Sequence, residues 1–551
     1  MHDIQGDLSR THSSICGRQP DRKLTIAIVG LVTFLILFTR SITIAHNIEL
    51  HPDEHVFVKA SVSLVKALFR GWAAYEEDKP YPQGAYVFQM PFHALQILTA
   101  RITGTTQNAY LWGRIAGVFY FTLGWLLGAR ILYSDFRCSK TVLAVYGISA
   151  CFSLFLIEQS RYGTGDPISG FLLNLVILCT LEYLRREARG WLFPACAAAG
   201  ALAAVKYPLL YFSLIPLSAV FMEKGNAKTK TVQFFSGLLI IVVGFLVCSP
   251  SALKDWHYIL QVVSRETYQY VTGGSFSEQG GFFNHLLSLI LYHLLYSDIP
   301  LGPVFFGMGV LLLDRRFAAE GRDPANRFLS RTIPILCLGF FIYNLFVPLM
   351  YFRTYYPFFW ISLMYSACGL GTLLESRGVR RRIAVILLTL MAFRGCFLVY
   401  AMSEKLPADH LVRISQDYTD NQEKRVVFLE PIKQLRGLYV PGNAERPEDS
   451  VSILLEDYRS DDDGSMELRP GDLVITGNLE FGRAQKYLLP IKDEVILQLI
   501  DSWKEFQRVN EPYLCTTTYP ALYYYLFGYY LKGSSAGSLE FPDNFIYYRM
   551  S

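Results

Sequence analysis

The sequence predicts an all-α, multi-pass membrane domain followed by a smaller external α+β domain, and three observations carry that expectation. Ten apolar runs are long enough to cross a bilayer, basic residues collect in alternate loops, and the hydropathy falls after residue 402. Composition agrees: 52% of the 551 residues are hydrophobic, 15% aromatic and 18% charged, with a mean hydropathy of +0.26. A disordered chain is excluded, and a formal charge of +4 asks for no nucleic-acid partner. Most of the ten cysteines lie in apolar runs, and none forms a C-x-x-C pair, so neither a zinc ribbon nor a disulfide framework is expected.

Residues 1–23 form a polar tail expected in the cytoplasm. The run that follows, 24–46, is too long for a signal-peptide core and is expected to stay as the first span. Further runs lie at 110–132, 141–158, 167–184, 191–222, 232–249, 300–313, 332–350, 356–374 and 382–402. The 191–222 run is broken at "KYP", Lys206 to Pro208, and is expected to be a hairpin of two short spans, which makes about eleven crossings within a membrane domain of 24–402.

Residues 47–109 then form the first external loop. Segment 84–104 is long enough to span but carries Gln89, Pro91, His93, Gln96 and Arg101. If it lies flat, the basic loops at 137–140, 185–189, 223–230, 314–331 and 375–382 all share one side, which the positive-inside rule makes cytoplasmic. It is therefore expected to be interfacial. So is "HVFVKASVSLVKALFRG", with Phe57, Ala60, Leu64 and Leu68 on one face and Lys59, Ser63, Lys66 and Arg70 on another. The odd number of crossings leaves 403–551 outside, where "RVVFLE", "SILLED" and "DLVITG" read as strands and "YPALYYYLFGYYLKG" as an aromatic stretch able to touch lipid.

On this topology both signs of charge gather at the external helix ends: Asp53, Glu54, Lys79, Arg114, Arg161, Asp166, Lys206 and Arg353. Each has an ordinary explanation. Asp53, Glu54 and Asp166 suit helix starts, Asp166 as an N-cap before Pro167, and the cations can snorkel to headgroups. His55 and His93 lack a partner at i+3 or i+4 and read as interfacial polar residues rather than metal ligands. Ionisable groups at membrane depth are costly, however, and a carboxylate facing several cations suits a base that works beside a phosphate leaving group. No Walker loop, dinucleotide-binding glycine pattern or nucleophile elbow offers a cradle for a soluble nucleotide donor.

Six stretches resemble motifs of the GT-C glycosyltransferases that use polyprenyl-phosphate sugars, a group including protein O-mannosyltransferases and the aminoarabinose transferases of lipid A: "HPDEHVFVKA", "DKPYPQGAYVF", "WGRIAGVFYF", "SRYGTGDPISGF", "AAAGALAAVKYPLLYFSLIPL" and "FLVCSPSALKD". The resemblance covers about residues 24–400 and implies a GT-C type fold. It also implies inverting transfer of a sugar from a polyprenyl-phosphate donor to a hydroxyl acceptor on a protein, lipid or glycan. Asp53 matches the catalytic base, Glu54 its neighbour, and Asp166 a second external acid. Arg114, Lys206, Lys79 and Arg353 match phosphate or sugar contacts, although the proline after Lys79 departs from the pattern. Family members differ in their need for a divalent cation, and no metal site is read from these residues. No Asn-x-Ser/Thr sequon occurs, which favours a bacterial cytoplasmic membrane. The competing reading is a lipid or oligosaccharide transporter or flippase, which calls for mid-membrane charges and related halves rather than charges at one face. A non-catalytic scaffold or sensor is the third.

Overall fold

A computed structural model of the chain describes residues 22–44, 54–70, 83–105, 108–250, 252, 257, 260–264, 286, 302–320, 323–346 and 355–403, together with 426–429, 451–453, 473–477, 506–508, 513–514 and 544–550. The chain divides into two compact units, Met1–Asn47 with Asp53–Val399 and Ile48–Pro52 with Tyr400–Ser551.

The first unit is helical. Its described helices are α1 (Arg22–Ile44), α2 (Glu54–Arg70), α3 (Gly84–Thr103), α4 (Ala109–Ser134), α5 (Lys140–Phe152), α6 (Leu154–Ser160), α7 (Asp166–Arg186), α8 (Leu192–Val205), α9 (Leu214–Met222), α10 (Ala227–Val247), α11 (Gly302–Glu320), α12 (Pro324–Leu345), α13 (Tyr356–Glu375) and α14 (Val379–Ser403). Every apolar run named above carries helix. Among the described residues six helices are long and apolar enough to cross a membrane, and shorter apolar helices accompany them. This is the make-up of a multi-pass membrane protein, because in hydrocarbon each span must satisfy its own backbone.

The expected hairpin is present. Helix α8 stops at Val205, Lys206 is extended, and a 3-10 turn over Tyr207–Ser213 leads into α9. Lys206 reaches Asp166 at one end of α7, while Tyr183 near the other end donates to Glu223 just after α9. The two arms thus run up and back along α7, whose 21 residues make about 30 Å.

Polar bonds also sort the loops to opposite ends. Arg137 pairs with Glu320 at 3.1 Å, Arg185 with Asp135 at 2.6 Å and Arg331 with Asp314 at 2.9 Å. Arg316 Nη1 donates to the carbonyls of Phe136 and Arg137, both at 3.0 Å. These basic loops share one end of the bundle, and Glu54, Arg114, Asp166 and Lys206 occupy the other.

Helices α2 and α3 pack on α4 near that second end. On α2, Phe57, Ala60 and Leu64 are buried and Lys59 and Lys66 exposed, as the periodicity predicts, but Leu68 is exposed beside Phe69. Helix α3 is inside-out relative to a water-soluble helix. Its polar Gln89 and His93 are buried, whereas Leu95, Leu98 and Ile102 face outward at 51%, 52% and 76% exposure. That pattern suits a helix whose outer surface meets lipid. His93 Nδ1 lies 2.9 Å from Gln96 Oε1, and burial holds the imidazole below its ordinary pKa.

Among the described residues of the second unit, six strands form one sheet: β1 (Val426–Leu429), β2 (Val451–Ile453), β3 (Leu473–Gly477), β4 (Phe506–Arg508), β5 (Tyr513–Leu514) and β6 (Asn544–Met550). The order is β2-β1-β3-β6-β4, with β5 also pairing β6. Strand β1 is parallel to β2 and β3, while β6 runs antiparallel to β3, β4 and β5. The three runs expected to be strands supply β1, β2 and β3. The tyrosine-rich stretch at 519–533 lies outside the described residues.

Candidate active site

Two acid–base pairs stand side by side at the end of the bundle away from the basic loops. Glu54 opens α2 and is fully buried, as is Arg114 one turn into α4. The guanidinium grips the carboxylate with both arms, Nε to Oε1 at 3.0 Å and Nη2 to Oε2 at 2.8 Å. Gly163 N–H donates to Oε1 at 2.7 Å, and Arg114 Nη1 reaches the Ile44 carbonyl at the end of α1 at 3.5 Å. A bidentate, fully desolvated pair of this kind fixes geometry more than it adds net stability.

The second pair is Asp166 with Lys206. Sequence reasoning expects Asp166 as the N-cap of α7, and the structure corrects this. Gly165 is the cap residue, Asp166 is the first helical residue, and its carboxylate turns to Lys206 and to Thr164 Oγ1, which donates at 3.3 Å. An acid in the first turn still opposes the helix dipole. Lys206 can reach it because the hairpin breaks there.

The loop Arg161–Gly165, which leads into Asp166, joins the pairs. Its Gly163 peptide donates to Glu54 through N–H and accepts from Gln89 Nε2 through C=O at 3.0 Å. Glycines make the fit possible. A Cβ on Gly84 would stand 2.6 Å from the Ala204 carbonyl carbon, and one on Gly117 would stand 2.6 Å from the Tyr162 oxygen. Gly84→Ala is therefore expected to push the start of α3 off the Lys206 turn, lowering stability by about 1–3 kcal/mol by overpacking. A thermal-unfolding comparison in detergent checks it, and an unchanged midpoint would contradict this packing.

The structure thus brings together Glu54, Arg114, Asp166 and Lys206. Arg114 is turned inward, and its guanidinium faces Glu54 rather than an open surface. Asp53, Lys79 and Arg353 lie outside the described residues. Among the described residues no group of three or more His, Cys, Asp or Glu side chains is placed to hold a metal ion.

Sequence reasoning missed two contributors. Gln89 was one polar residue among several on a segment of uncertain placement. Arg40 lies inside the first apolar run, and its lone charge was the available signal. Fully buried, it donates to Ser160 Oγ at 2.7 Å, the Ala150 carbonyl at 2.9 Å and the Cys151 carbonyl at 3.0 Å, and stacks 5.0 Å from the Phe121 ring centroid. These bonds hold α1 against the ends of α5 and α6, just before the loop that joins the ion pairs.

No model of a known protein family matches the chain, and no curated protein matches its sequence. Solved structures do. ArnT from Cupriavidus metallidurans bound to undecaprenyl phosphate is similar over 95% of this chain and 97% of its own, with a TM-score of 0.52 at 13% identity. The archaeal oligosaccharyltransferase AglB from Archaeoglobus fulgidus, in complex with an inhibitory peptide and a dolichol-phosphate, is similar over 87% of this chain and 72% of its own, with a TM-score of 0.50 at 11% identity. At these identities the likeness is one of fold, and that fold is the GT-C type expected from the motifs.

Proposed function

We propose that this chain is an integral-membrane glycosyltransferase that moves a sugar from a polyprenyl-phosphate donor to a hydroxyl acceptor, with inversion. The observation that carries the reading is the pairing of Glu54–Arg114 with Asp166–Lys206 through one loop, at the end of the bundle opposite the basic loops. The fold shared with ArnT, whose structure holds undecaprenyl phosphate, points to the donor class. In this reading the basic loops are cytoplasmic, by the positive-inside rule, and the paired acids extracytoplasmic; the lack of Asn-x-Ser/Thr sequons supports a bacterial inner membrane.

In this reading Asp53 is the general base. It takes the acceptor hydroxyl proton as the oxygen attacks the anomeric carbon, and polyprenyl phosphate leaves from the opposite face of the sugar. Glu54, the next residue, is anchored by Arg114 and Gly163, so the start of α2 is fixed. Arg114 is thereby assigned to positioning rather than to phosphate. Lys79 and Arg353 are the cations assigned to the phosphate, and Asp166 with Lys206 stands beside the Glu54–Arg114 pair. Charge developing on the leaving phosphate is stabilised by such cations in a water-poor site.

The test is incubation of the purified chain in lipid nanodiscs with polyprenyl-phosphate sugars and candidate hydroxyl acceptors. Release of polyprenyl phosphate with an inverted anomeric product is expected. Absence of release across a panel of pentose and hexose donors would sink the proposal.

A further inference from the structure

At the opposite end of the bundle, the thiols of Cys138 and Cys368 lie 3.4 Å apart, across 230 residues of sequence. We propose that they form a redox-modified dithiol, closed to a disulfide by a peroxide-class oxidant, that ties the α4–α5 turn to α13. Nothing in the transfer reaction uses either residue.

The turn holds Cys138 in place from both sides. Arg137 adopts a left-handed conformation (φ 48°) just past α4, which bends the chain so that Cys138 N–H bonds back to the Leu132 carbonyl at 3.0 Å. Ser139 then caps α5 by accepting from Val142 N–H at 3.3 Å. Cys138 thus sits between two helix ends with little freedom, partly exposed. Cys368 is buried in α13, a rigid helix packed against α5 and α11, where Gly371 lies against Val142 and Gly369 against the Phe305 carbonyl.

Exposure favours attack from the Cys138 side, because Cys138 is partly exposed and Cys368 is buried. Arg137, Lys140 and Arg316 surround the turn, with Arg316 bonded to the carbonyls of Phe136 and Arg137. The nearby acids are already engaged, Asp135 by Arg185 and Glu320 by Arg316 and Arg137. The Cys138 sulfur attacks a peroxide oxygen, the O–O bond breaks, and a sulfenic acid forms as the leaving hydroxide takes the thiol proton and departs as water. Cys368 sulfur then displaces the sulfenic oxygen as a second water, its thiol proton completing that water. In sum, two thiols and one peroxide give one disulfide and two waters.

The experiment treats the purified full-length chain in nanodiscs with hydrogen peroxide, then counts free thiols by maleimide-PEG labelling after denaturation and maps linked peptides by mass spectrometry. Loss of two labelled thiols, reversed by dithiothreitol, with a Cys138–Cys368 peptide is expected. Cys368→Ser should leave Cys138 as a sulfenic acid trapped by dimedone, and Cys138→Ser should leave Cys368 reduced. Both thiols staying reduced while exposed Cys396 oxidises would overturn the proposal. So would Cys138 linking to a cysteine other than Cys368. Donor turnover is not read, so the outcome is separate from that of the transferase assay.

Discussion

Asp53→Asn is expected to leave a folded protein whose transfer rate falls by about 10²- to 10⁴-fold, the range for loss of a positioned general base. The ordinary reading of this residue from its sequence position, a cap for the helix that follows, survives the substitution. Asn caps helix N-termini about as well as Asp, so capping alone predicts near-normal stability and near-normal activity. Unchanged melting with lost donor cleavage assigns the base. Retained turnover would remove Asp53 from the chemistry, and a collapse of both stability and activity would return it to a structural role.

Arg114→Met is expected to destabilise the protein by about 3–5 kcal/mol, because it leaves the Glu54 carboxylate buried at 0% exposure without its counter-charge. A neutral pair should recover much of that loss. Glu54→Gln combined with Arg114→Met keeps an acceptor for the Gly163 N–H and removes both charges. The double variant is therefore expected to melt above Arg114→Met alone, with a coupling energy of about 0.5–3 kcal/mol from the cycle. If Arg114 instead served only a phosphate, the single variant would melt normally and lose donor affinity. Thermal unfolding without donor separates the two.

The spans were legible because a bilayer leaves the backbone few choices, and a run of apolar residues announces helix wherever it falls. The break at Lys206–Pro208 was legible for a related reason: a proline cannot continue a helix through its ring, and α8 stops at Val205, three residues before Pro208. The partners of the charges were not. Glu54 and Arg114 are 60 residues apart and Asp166 and Lys206 are 40 apart, so each pairing depends on how helices pack. That packing in turn depends on backbone approaches at Gly84, Gly113, Gly117 and Gly163, which no hydropathy pattern encodes. Asp166 shows the difference in miniature. Local rules gave it a cap, whereas the fold used a hairpin tip to give it a lysine. Arg40 vanished into the average of its apolar run, although its hydrogen bonds hold three helices together.

Arg40 also sets an order of assembly. Its acceptors, the Ala150 and Cys151 carbonyls and Ser160 Oγ, follow it in the chain by 110, 111 and 120 residues. At a synthesis rate of about 5–20 residues per second, α1 waits roughly 6–24 s between the emergence of its arginine and that of the serine. During that interval the charge has only water, headgroups or the insertion machinery to satisfy it. The first helix therefore enters the membrane as an unfinished element, completed only when the loop that joins the two ion pairs is itself about to be made.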